Sequence, residues 1–268
     1  MRKRPILIPG DDDAPVGRIL TRREVLALLG GSGAAAFLAA CAPAGTAGAS
    51  ANPATSAPAI ATVPASATTA LPSCVVRPAL TEGPYFVDEK LDRSDIRSDP
   101  TDNTVKPGAT LALAINVSRV SGGQCAALPG AIMDLWHCDA LGVYSDASDP
   151  SFNTKGKKFL RGYQTSDASG AVRFTTIYPG WYQGRAVHIH FKIRTTVAGR
   201  TSDFTSQFFF DESLSDKVFA QPPYSQKTGN RLKNDGDDIY RQSGGKTLLN
   251  VTQSGSGYAA TFDIGLAI

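Results

Sequence analysis

Histidine and cysteine are scarce in this chain, with three and four among 268 residues, and no CxxC pair occurs. The spacing therefore argues against a metal site built from paired cysteines. Charged residues make up 19% and leave a net charge of +3 without a dense Lys/Arg cluster, so the electrostatic footprint of a nucleic-acid binder is missing. No run of eighteen strongly apolar residues exists, which argues against a long transmembrane helix. Between Glu24 and Arg77 there is no charge of either sign. What is present is 42% apolar residues, enough for a sizeable core in part of the chain.

The N-terminus has the order of an export signal. Arg2, Lys3 and Arg4 precede Thr21-Arg22-Arg23-Glu24, a twin-arginine pattern, and an uncharged stretch runs on from Val25 to Ala40. Gly30-Gly31-Ser32-Gly33 interrupts that stretch and leaves it too weakly apolar to span a bilayer. It ends in Leu38-Ala39-Ala40-Cys41, which resembles a bacterial lipobox; an ordinary cleavage site with an incidental cysteine is the alternative. A lipid on Cys41 would anchor the chain to a membrane face, giving an exported lipoprotein of the cell envelope or, without the lipid, a secreted protein. Residues 41–73 are rich in Ala, Pro, Thr, Ser and Gly, a composition that cannot bury enough surface to offset the entropy of ordering. They read as a flexible linker whose ends lie ~30 Å apart. Residues 1–40 hold six basic and four acidic residues, so the chain from Cys41 onward is nearly neutral.

Domain 74–268 then carries the core. With Cys41 set aside, Cys74, Cys125 and Cys138 allow one disulfide, and the turn Leu128-Pro129-Gly130 favours Cys125 with Cys138. Thr110 to Val117 alternates larger apolar residues with small or polar ones, as a half-buried strand does. Similar runs lie at 130–137, 171–177, 187–193, 204–210 and 258–264, separated by turns such as Asp167-Ala168-Ser169-Gly170. Only 211–219, before Pro222-Pro223, suggests a helix. The expected fold is mainly β, a sandwich or barrel with few short helices.

Two of the three histidines stand in Val187-His188-Ile189-His190-Phe191. A strand places both imidazoles on one face, ~7 Å apart at Cα, where they can share a metal ion, and turns Ile189 and Phe191 to the core. Alone, an HxH pattern is a weak signal, more often a pair of surface or core histidines in a strand.

Its neighbours favour the metal reading. Thr81-Glu82-Gly83-Pro84-Tyr85-Phe86, Arg93-Ser94-Asp95-Ile96-Arg97, Leu128-Pro129-Gly130, the segment Trp136 to Tyr144, and Pro179-Gly180 with Tyr182, Arg185 and His188-Ile189-His190-Phe191 after it together resemble the intradiol ring-cleavage dioxygenases. The resemblance implies a β-sandwich core and a mononuclear non-haem Fe(III) site with Tyr144, Tyr182, His188 and His190 as ligands, Tyr182 and His190 axial. It implies cleavage of an aromatic 1,2-diol by O2 between the hydroxyl-bearing carbons, giving a cis,cis-muconate-type diacid. Tyr182 would leave the metal as the diol arrives and take up one of its protons. Arg185 would stabilise charge on the ring, and Gln207 would support it. His137 has no ligand role and reads as a packed histidine; Tyr85 and Tyr163 are pocket or structural aromatics. Two phenolates, two neutral imidazoles and a hydroxide also balance a ferric charge, which suits a buried site.

The helical N-terminal segment that dimerises cytosolic relatives has no counterpart here, so the oligomeric state stays open. The rival reading is a non-catalytic β-sandwich lipoprotein that binds a ligand, which leaves the tyrosines without a task. A zinc or copper site on His188 and His190 alone does the same.

Overall fold

The computed structural model describes residues 75–268; the expected signal, the linker, Cys41 and Cys74 lie outside the described residues. The strands are β1 (Thr110–Ser121), β2 (Gln124–Ala127), β3 (Ile132–Trp136), β4 (Ser148–Asp149), β5 (Phe152–Asn153), β6 (Arg161–Thr165), β7 (Ala171–Ile177), β8 (His188–Val197), β9 (Arg200–Phe209), β10 (Val251–Ser254) and β11 (Gly257–Ala267). Helix α1 (Glu212–Phe219) comes after β9, and α2 (Asp238–Ser243) precedes β10. One sheet runs β10-β11-β1-β2, with β7 also paired to β1, and the second runs β6-β3-β8-β9. The fold is the expected mainly β sandwich.

Alternation explains the core. Leu111, Leu113, Ile115 and Val117 of β1 are buried together with Phe174 and Phe262 from their own sheet. Opposite them stand Leu135, Ile189, Phe191, Ile193 and Phe208 from the second. Each fully buried side chain of this size contributes roughly 1.5–3 kcal/mol. Because Ile189 and Phe191 face inward, His188 and His190 must face the outer side of that sheet. Loops close over it there.

The short strands β2, β4 and β5 were not foreseen, nor were β6 and β10. The last two are sheet edges, and Arg161-Gly162-Tyr163-Gln164-Thr165 and Val251-Thr252-Gln253-Ser254 lack the alternation that an inner strand needs. Helix α1 starts one residue inside the expected span because Asp211 caps it, accepting from Leu214 N at 2.9 Å. No helix among the described residues is long and apolar enough to cross a membrane.

The favoured disulfide is absent. Cys125 and Cys138 are both free. Cys125 lies on β2 of the first sheet, 3.3 Å from Ser118 Oγ, while Cys138 comes just after β3 of the second and packs with Trp136 and Tyr144. The turn expected to fold the chain back instead carries it from one sheet to the other.

Candidate metal centre and active site

His190 has Trp136 on β3 and Gln207 on β9 as cross-strand neighbours. Its ring stacks on the Trp136 indole at 5.0 Å, with 9° between the planes. The Nε2 atoms of His188 and His190 are 3.0 Å apart, and both residues are buried. His188 Nδ1 lies 2.7 Å from the carbonyl oxygen of Ala186. A carbonyl only accepts, so the proton sits on Nδ1 and Nε2 offers its lone pair to the site. Gly83, at φ +71°, lets the backbone press on the second ring: a Cβ there would stand 3.1 Å from His190 Cε1.

The tyrosines arrive on two loops locked together. Asp139 Oδ1 accepts from the N–H groups of Leu141 and Val143, each at 3.0 Å, and so shapes the turn before Tyr144. Gly142 in that turn has φ +84°, and a Cβ on it would meet the Trp181 carbonyl oxygen at 2.2 Å. Trp181 precedes Tyr182. The Oη atoms of Tyr144 and Tyr182 consequently reach His188 Nε2 at 3.4 and 3.3 Å. Tyr144 is buried and Tyr182 half-buried.

Burial sets the charge state. It pushes the Tyr144 phenol well above its usual range, with the neighbouring Tyr182 adding to the effect, and raises Tyr182 to about 12 against the opposing pull of Arg185. Burial also drives both imidazoles well below the ordinary histidine range, and the Arg185 charge lowers them further. All four groups are thus neutral at pH 7 in the protein alone. A multivalent cation among them reverses that preference for the phenols and needs the imidazoles neutral. Among the described residues no three His, Cys, Asp or Glu converge, so a metal held by the two histidines would have to draw on the two tyrosines as well. The hard oxygen and borderline nitrogen donors fit ferric iron.

Arg185 Nη1 stands 3.5 Å from His188 Nε2, and its Nη2 donates to Gln207 Oε1 at 2.6 Å. Gln207 in turn donates to the Thr81 carbonyl at 2.9 Å. All six residues expected at the site therefore meet. His137 is elsewhere, buried, with Nδ1 2.7 Å from the Cys138 carbonyl and Nε2 2.6 Å from Thr176 Oγ1. Tyr85 stacks on Tyr144 at 4.3 Å and donates to Asp149 Oδ2 at 2.8 Å, whereas Tyr163 stands on β6 opposite Asp134.

Two residues escaped sequence reasoning. Arg161 is buried and donates to the Tyr85 carbonyl and to both Ser145 O and Oγ, bracing the Tyr144 loop. Asp237 accepts from Arg185 Nε at 2.9 Å. Its only sequence signal, an acid before an unrecognised short helix, speaks of capping and not of a site.

Comparison with known proteins gives the class. A family model described as dioxygenase matches residues 81–232. An intradiol ring-cleavage dioxygenase from Tetranychus urticae is 29% identical, with a TM-score of 0.62 over 72% of this chain and 95% of that one. The dioxygenase domain of a dioxygenase carbohydrate-binding protein fusion from Streptomyces sp. SirexAA-E is 27% identical, with a TM-score of 0.51 over 72% of this chain and 99% of that one. Catechol 1,2-dioxygenase 2 of Acinetobacter lwoffii is 35% identical over 107 residues, which is 39% of this chain and about a third (35%) of that protein. This chain belongs to the intradiol ring-cleavage dioxygenase family.

Proposed function

We propose that the protein is a non-haem Fe(III) intradiol dioxygenase that cleaves an aromatic 1,2-diol of the catechol or protocatechuate type with O2 to a muconate-type diacid. The observation that carries this reading is the convergence of His190 Nε2, Tyr144 Oη and Tyr182 Oη within 3.4 Å of the His188 lone pair. Bound there, ferric iron supplies the Lewis acidity that withdraws electron density from the diol ring and opens it to O2.

The chain's residues supply the rest. Tyr182 is the more exposed phenol, so it is the ligand that can swing aside and accept a diol proton, while buried Tyr144 stays in place. His188 and His190 remain neutral donors. Arg185, 3.5 Å from the His188 nitrogen, directs a fixed positive charge at the ring as negative charge accumulates on it. The N-terminal residues fit export by the twin-arginine route and an acyl anchor on Cys41, which would place this chemistry on the outer face of the cytoplasmic membrane or in the envelope.

The test is O2 uptake and product identity with catechol, protocatechuate, hydroxyquinol and chlorocatechols after iron loading. A muconate-type chromophore that His188→Ala abolishes is expected. A yellow semialdehyde, or a colourless protein that keeps stoichiometric zinc instead of iron, overturns the reading.

A further inference from the structure

Arg185 is tied to a part of the chain that lies beyond the family match at residues 81–232. Asp237, buried at 1% exposure, accepts through Oδ2 from Arg185 Nε at 2.9 Å and from Ala186 N at 2.8 Å. Through Oδ1 it accepts from Ile239 N at 2.8 Å and Tyr240 N at 3.1 Å, at the start of α2. The helix thereby fixes the carboxylate, and the carboxylate fixes the guanidinium. A guanidinium is a rigid planar fork. With Nε held by Asp237 and Nη2 by Gln207, its plane and rotation are both set. Nη1 alone is left to face the four ligand-type residues.

We infer that Asp237 is a positioning residue for catalysis, acting through Arg185: the segment after the matched core supplies the charge that aims the active-site cation. The inference rests on the dioxygenase reading. The carboxylate receives four N–H donors on two oxygens, so an asparagine must turn its amide donor against one pair of them, whichever way it faces. Asp237→Asn therefore loosens the aim of Arg185 without changing side-chain volume. Asp237→Ser keeps a hydroxyl that caps α2 but is too short to hold Arg185, and so separates capping from aiming.

The experiment is a double-mutant cycle with Arg185→Gln on the iron-loaded enzyme. Asp237→Asn and Asp237→Ser should each lower kcat for catechol ~10- to 100-fold, the effect of a small misplacement of a charged group. KM and iron content should stay within about twofold. In the Arg185→Gln background the same changes should alter kcat by less than about twofold, because residues acting as one unit are not additive. Wild-type kcat in both Asp237 variants, effects that multiply across the cycle, or loss of iron would overturn the inference. If the wild type turns over no diol, the dioxygenase reading fails on that arm alone. The tie is then read in the metal-free protein by NMR. A slowly exchanging Arg185 Nε–H that becomes fast in Asp237→Asn supports it, and fast exchange in both overturns it.

Discussion

His188 Nε2 and His190 Nε2 face each other at 3.0 Å, and the Ala186 carbonyl on the far side of His188 decides which nitrogen of that ring is free. Two residues of one strand thus bring two ligand-type nitrogens together before any loop contributes. Iron-loaded protein is expected to be reddish from tyrosinate-to-iron charge transfer. Tyr144→Phe should weaken or remove the band, and His188→Ala should remove bound iron, both read by absorbance and metal analysis. An unchanged spectrum in Tyr144→Phe would place the chromophore elsewhere.

Gly142→Ala tests how the two tyrosine loops are held. The added methyl meets the Trp181 carbonyl at 2.2 Å in a left-handed backbone conformation. A loss of roughly 2 kcal/mol or more is expected. Because the displaced loops carry Tyr144 and Tyr182, iron content should fall with it. Thermal melting and metal stoichiometry report the two effects separately.

Arg161 is a buried cation that meets only neutral acceptors, Ser145 and Tyr85. Burial draws its guanidinium down to about 10, well above neutrality, so it stays charged. Replacement by Leu leaves those acceptors unpaired and should cost about 2–4 kcal/mol. Denaturant unfolding measures this, and a variant as stable as wild type would show that the brace is dispensable.

His137 shares the acid limb of the metal-free protein's stability with His188 and His190, which burial also holds below the ordinary histidine range. Burial lowers His137 from 6.5 to about 4 in the folded state. The unfolded chain takes up the proton first, so this contribution to stability is complete above pH 6.5 and is lost as pH falls toward 4. The full loss amounts to about 3 kcal/mol. His137→Gln should be less stable at pH 7 yet flatten the acid limb, measured by unfolding from pH 7 to 4.

The sequence by itself determined the strand alternation, and with it which face of β8 carries the histidines, since a period of two leaves no other choice. It also showed Tyr144, Tyr182, Arg185 and Gln207, because their spacing matches a family pattern. Edge strands β6 and β10 stayed hidden, being too polar to show a buried face. The Cys125–Cys138 pairing misled because a turn motif states that the chain bends, not which sheet it enters next. Arg161 and Asp237 were invisible for a related reason. The partners of Arg161 lie 16 and 76 residues away and Arg185 lies 52 residues from Asp237, and neither residue type nor local periodicity encodes contacts across such loops. Only the closing of loops over the outer face of the second sheet brings four neutral donors and one aimed guanidinium to a single point.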